Sequence, residues 1–134
     1  MRLTFRPQHR LRLPREFAAV YEAKVRESRG PLTVYALPNV LDHPRLGMSV
    51  SRKVGTAVRR NRIRRLIRES FRLLQHDFPE GYDLVVVVRA HEPLMLAEYQ
   101  KLLMGMLVRL HGTWQKRPKS VEPAKPSAPT TPAE

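Results

Sequence analysis

The sequence predicts an α+β fold in which helices pack on a four-stranded sheet, with the element order α-β-β-β-α-β-α. Three observations carry that prediction. The chain has 134 residues, 42% of them hydrophobic, which suits one compact domain and is too apolar for a disordered basic polypeptide. Apolar residues recur at helical spacing in three stretches, while the segments between them alternate or run continuously apolar, as strands do. There is no cysteine, so disulfide frameworks, Cys-based zinc sites and thiol nucleophiles are excluded and a core must do the work.

Pro14 suits the first turn of a helix, and Phe17, Val20, Tyr21 and Lys24 follow at helical spacing, so a first helix is expected over Pro14 to Ala23. Val25 to Ser28 reads as a short strand turning at Arg29-Gly30. Leu32 to Leu37 is partly β-branched and aromatic, and Pro38-Asn39 closes it. Arg45 to Arg52 alternates, with Leu46, Met48 and Val50 on one face and Gly47, Ser49 and Ser51 on the other. These two strands are expected to be antiparallel neighbours joined by the loop around Asp42 to Pro44. Ala57 to Gln75 is the strongest helix, with Thr56 as its N-cap after Gly55. Asp83 to Arg89 is continuously apolar in its middle and suits a strand buried on both faces. Pro93 opens a last helix to about His111, with Leu96, Tyr99, Leu103, Met106 and Leu110 on one stripe. The expected organisation is a basic arm (1–13), one domain (14–113) and a disordered tail (114–134), since five of the twelve prolines fall after Arg117.

The formal net charge of +13 is unevenly spread. Residues 1–15 carry five Arg and no acid, and residues 45–72 carry ten basic residues against the single acid Glu69, while the segments 16–44 and 73–113 are slightly acidic. A concentrated basic block beside near-neutral segments is the footprint of a polyanion partner, because neutralised phosphates release counterions.

That block lies on the central helix. At about 100° per residue, Ile63, Leu66, Ile67, Ser70, Phe71 and Leu74 share one face, expected to sit on the sheet, and Asn61, Arg65, Arg68 and Arg72 fall opposite. Six like-charge pairs stand at i,i+3 or i,i+4 and only Arg65/Glu69 and Glu69/Arg72 attract. The net cost to the isolated helix is about 1–2 kcal/mol. Phosphates on the surface would reverse the sign, and nine of the ten basic residues in the block are Arg, the side chain suited to bidentate phosphate contacts and to stacking on bases. Asn61 could bind a nucleotide or orient a neighbouring side chain.

The segment SRKVGTAVRRNRIRRLIRESFR, Ser51 to Arg72, strongly resembles the signature of the bacterial ribonuclease P protein component. Strand end, Gly55, Ala57-Val58, Arg60-Asn61-Arg62 and Arg65-Leu66 fall in register with it; His9-Arg10-Leu11, Glu16-Phe17, LTVYAL and DLVVVVRA extend the likeness over about residues 9–110. One departure is Arg52, where the family commonly has Lys. The resemblance implies an αβββαβα sandwich with a left-handed βαβ crossover, against the right-handed one that general rules favour. It implies a protein subunit that assists a catalytic RNA in removing the 5′ leader of precursor tRNA, with Mg²⁺ held mainly by that RNA. By resemblance Lys53, Arg60, Asn61, Arg62, Arg65 and Arg68, with Arg59 and Arg72 at the ends of the helix, would contact the catalytic RNA. A cleft between the first helix and the sheet would hold the single-stranded leader, with Phe17, Tyr21, Tyr35 and Arg52 at the matching positions. Base stacking on aromatics in a positive groove gives that assignment independent sense, although Phe17 and Tyr21 equally suit the core stripe of their helix.

No catalytic or metal-ligating residues are expected in the protein. The acids Asp42, Asp77, Glu80, Asp83, Glu92 and Glu98 are scattered, His9, His43, His76, His91 and His111 lack ligand spacing, and Gly55-Thr56 lacks the rest of a phosphate loop. A helix-turn-helix is disfavoured because strands flank the basic helix, and membrane binding because its apolar face is needed for a core; no DNA and no membrane partner is expected. The alternative that the residues leave open is a structural or ribosomal RNA-binding protein, and the expected setting is cytoplasmic.

Overall fold

The computed structural model describes residues 10–41, 43–75 and 81–116. The elements are α1 (Pro14–Ala23), β1 (Arg26–Arg29), β2 (Leu32–Pro38), β3 (Arg45–Val50), α2 (Ala57–Leu74), β4 (Tyr82–Val88) and α3 (Leu96–Lys116), with a 3-10 turn at Arg52–Val54. The expected arm before residue 10 and the expected tail beyond residue 116 lie outside the described residues.

The sheet order is β1-β2-β4-β3, with β2 antiparallel and β3 parallel to β4. This corrects the expectation that β2 and β3 are neighbours. The physical reason is in β4: a strand apolar on both faces belongs at the centre of a sheet, and a β2/β3 hairpin would have left it at an edge. β3, α2 and β4 thus form the one parallel crossover among the described residues. β3 ends at Val50, short of Arg52, because the chain tightens into the 3-10 turn.

Register sorts the side chains. Thr33, Tyr35 and Leu37 share a face with Asp83, Val85 and Val87 and with Arg45, Gly47 and Ser49. α1 crosses this face, but its cover is partial: Val87 stays half-buried although β4 is central. Leu32, Val34, Ala36, Leu84 and Val86 line the opposite face, which is the main core and is closed by α3. The apolar face of α2, with Ile63, Ile67, Ser70, Phe71 and Leu74 buried, packs chiefly against α3 and only secondarily against β3, rather than on the sheet as expected.

α3 begins at Leu96, not Pro93, because the Tyr99 hydroxyl accepts from the Leu94 amide at 3.2 Å and also meets His91 Nε2 at 2.7 Å, which keeps residues 91–95 outside the helix. It runs on to Lys116, past the predicted end at His111 and into the segment assigned to the tail. The buried Trp114 accounts for the extension: its indole Nε1 donates to the Ala36 carbonyl at 2.9 Å, on β2.

Candidate nucleic-acid interface

α2 starts on two local devices. Gly55 has φ +147°, and a Cβ there would come within 2.7 Å of Arg59 Cδ. Thr56 then caps the helix, its Oγ1 accepting from the Arg59 amide at 3.2 Å, as the sequence predicted.

The arginines of α2 are held in different ways. Arg60 Nε donates to the Gly55 carbonyl at 3.3 Å, and Arg59 pairs with Glu92 at 3.2 Å. Arg64 Nη1 donates to Asn61 Oδ1 at 2.9 Å, so Asn61 does orient a neighbouring guanidinium. Glu69 takes Arg72 rather than Arg65, and that bond holds the Glu69 carboxyl below its ordinary range. Arg62 and Arg65 line a shallow depression with Leu66 and Glu69. Arg68 is half-buried; burial first, and then the nearby charges of Arg10 and Arg64, lower its pKa. Among the described residues no carboxylate pairs with Arg62, Arg65 or Arg68. Arg52 and Lys53 are exposed on the 3-10 turn that leads into this helix.

Arg10 belongs to this surface although the helix periodicity gave no sign of it. A backbone bridge to Leu46, with Leu11 N donating to the Leu46 carbonyl at 3.0 Å, lays the end of the arm along the outer edge of β3. Leu11 is buried there, so the arm's last residues are part of the fold.

The second region is the partly covered sheet face. The Phe17 ring lies directly over Gly47, where an added Cβ would stand 2.6 Å from the ring. Tyr21 and Tyr35 meet edge to face at 4.9 Å, and the Tyr21 hydroxyl bonds with Ser49. Burial raises the Tyr21 pKa above its ordinary value, against the opposing pull of that bond. Arg26 lies over the Tyr35 ring, 5.8 Å from its centroid. Phe17, Tyr21 and Tyr35 are all half-buried, so each contributes to packing and still offers surface to a ligand. Beyond them the face continues through Val87 to Thr33, whose Oγ1 accepts from Arg89 Nη1 at 2.6 Å and bonds Ser28 Oγ at 2.8 Å. Arg52 is not among the residues in contact with this aromatic group; it stands on the turn after β3.

Sequence reasoning missed the buried polar group under α1. Arg45 Nε and Nη2 hold both oxygens of Asp83 at 2.8 and 2.6 Å, Asn39 Nδ2 donates to Asp83 Oδ1 at 2.8 Å, and Arg45 Nη1 reaches Glu16 Oε2 at 3.0 Å. An acid opening a strand buried on both faces was the available signal, since such a charge needs a partner. Among the described residues no three His, Asp or Glu side chains stand close enough together to hold a metal ion. Nor is any described helix long and apolar enough to cross a membrane.

Comparison with known proteins identifies the family. A family model described as Ribonuclease P matches residues 5–111. The ribonuclease P protein component of Syntrophus aciditrophicus is 39% identical over 94 residues, covering 70% of this chain and 79% of that relative. The solved ribonuclease P protein of Thermotoga maritima aligns with a TM-score of 0.68 at 33% identity over 75% of this chain and 96% of that one. That of Staphylococcus aureus aligns with a TM-score of 0.66 at 31% identity, over 75% and 94%. With signature helix, sheet order and these likenesses in agreement, the chain belongs to the ribonuclease P protein component family.

Proposed function

We propose that this chain uses its two surfaces for two different RNAs: the α2 arginines, with Lys53 and Arg10, hold the catalytic RNA of ribonuclease P, and the groove between α1 and the sheet holds the single-stranded 5′ leader of precursor tRNA. The observation that carries this reading is the separation of the two. The cationic helix belongs to the layer on one face of the sheet, whereas the aromatic groove is on the other. One structural RNA contact needs only the first.

On the helix the protein supplies guanidinium forks to phosphates, in place of counterions. In the groove, Phe17, Tyr21 and Tyr35 offer ring faces and edges to bases, while Arg26 offers charge to the backbone between them. The bond-breaking chemistry, and the Mg²⁺ it needs, is assigned to the RNA; the protein's part is to place the leader and to screen charge. A cytoplasmic setting fits a chain without cysteine.

The test is cleavage of precursor tRNA by the cognate RNA at low Mg²⁺, with and without this protein. Enhancement by the protein is expected; none would overturn the reading. In the same assay Phe17→Ala should weaken binding of precursor tRNA more than of mature tRNA, whereas equal losses would assign Phe17 to the core and overturn the groove reading.

A further inference from the structure

Glu16 stands one residue before Phe17 and does three things with one carboxylate. Its Oε1 accepts the Arg12 and Leu13 amides, each at 3.0 Å, closing the open N-terminus of α1. Its Oε2 takes Arg45 Nη1 at 3.0 Å, on the face of β3 that carries Gly47 two residues later. Through Arg45 it is tied to Asp83 on β4, and through Asp83 to Asn39 at the end of β2.

Neutralising Arg45 does not require Glu16. Asp83 already supplies one full charge and a two-point contact, so the second carboxylate is surplus to charge balance. What it adds is direction. α1 has ten residues and one fully buried side chain, Val20, so apolar contact alone defines its rotation about its own axis only loosely. The Glu16 to Arg45 link pins the helix at its first turn, directly beside the aromatic residues that roof the groove.

We propose that Glu16 is a positioning residue for the leader groove: its link to Arg45 sets the height and rotation of α1 over β3, and thereby the opening between Phe17, Tyr21 and the floor at Tyr35. This rests on the reading of that groove as the leader site.

The experiment uses holoenzyme reconstituted with the cognate RNA and compares precursor tRNA, with its leader, to mature tRNA. Glu16→Gln keeps an acceptor for the two amides and leaves Arg45 on Asp83, so the fold should persist. The expected result is a KM for precursor raised about five- to tenfold, the scale of one charge-assisted hydrogen bond, with kcat within about twofold. Mature-tRNA binding and affinity for the RNA subunit should stay unchanged. An unchanged KM, or equal losses on precursor and mature tRNA, would overturn the proposal and leave Glu16 a purely structural role. If Glu16→Gln is unfolded at the assay temperature, Glu16→Asp carries the test: it keeps the charge with a reach one methylene shorter, so leader selectivity should fall while melting temperature holds, and unaltered selectivity would overturn the idea. Phe17→Ala serves as reference. Should it leave selectivity intact, the groove reading and this proposal fall together; should it lower selectivity while Glu16→Gln does not, only the proposal falls.

Discussion

At the scale of single residues, the groove depends on an atom that is missing. Gly47 lets the Phe17 ring lie on the backbone of β3, and a methyl group there would stand 2.6 Å from the ring and 3.1 Å from Leu11 Cβ. Gly47→Ala should therefore cost about 1–3 kcal/mol by overpacking, measured as a shift in denaturant midpoint; wild-type stability would show that α1 yields without penalty. A second residue-scale effect follows from Glu16. Burial would raise its pKa, but the Leu13 and Arg12 amides and then Arg45 outweigh that and hold it below the ordinary glutamate value. A carboxyl depressed in the folded state contributes stability that is fully present above its unfolded pKa and lost as pH falls through the folded one. The melting temperature of wild type should thus fall more steeply below pH 4.5 than that of Glu16→Gln, and parallel curves would show that Glu16 does not contribute to the acid transition.

At the scale of elements, α2 sets its own electrostatics against its packing. Its two ends have carboxylate partners, Glu92 for Arg59 and Glu69 for Arg72, while the stretch with Arg62, Arg65 and Arg68 has none among the described residues. Replacing Arg65 and Arg68 by Ala should reduce the slope of log affinity for the RNA subunit against log salt by about 1–2, at roughly 0.7–0.9 per phosphate contact; an unaltered slope would place these side chains away from phosphates. Element existence was legible because it rests on local signals. Pro14 and the helical spacing after it set both ends of α1, and Thr56 after Gly55 set the start of α2. Strand adjacency was not legible, because periodicity reports which face a residue occupies and says nothing about which strand lies beside it. The same blindness hid Arg10, which reaches the α2 surface through a backbone bridge to β3, and Arg45, whose partners stand 29 and 38 residues away.

At the scale of the whole molecule, the boundary of the domain is set by one side chain. Composition puts the end of the fold before Trp114, yet this indole is 8% exposed and satisfies a β2 carbonyl. A chain ending at Thr113 should lose about 3–5 kcal/mol relative to one ending at Lys116, in a comparison of chemical denaturation; equal stability would show that Trp114 is dispensable. The order of the strands has a temporal consequence as well. β3 leaves the ribosome before α2, and its hydrogen-bonded neighbour β4 follows only after that helix, 38 residues downstream at the Arg45 to Asp83 pair. The cation in β3 therefore lacks its two-point partner Asp83, and the arginine-rich helix its completed scaffold, until β4 has been synthesised. Loop closure across the crossover is the step on which native packing waits, so assembly of the cationic face is coupled to completion of the sheet rather than to formation of its own helix.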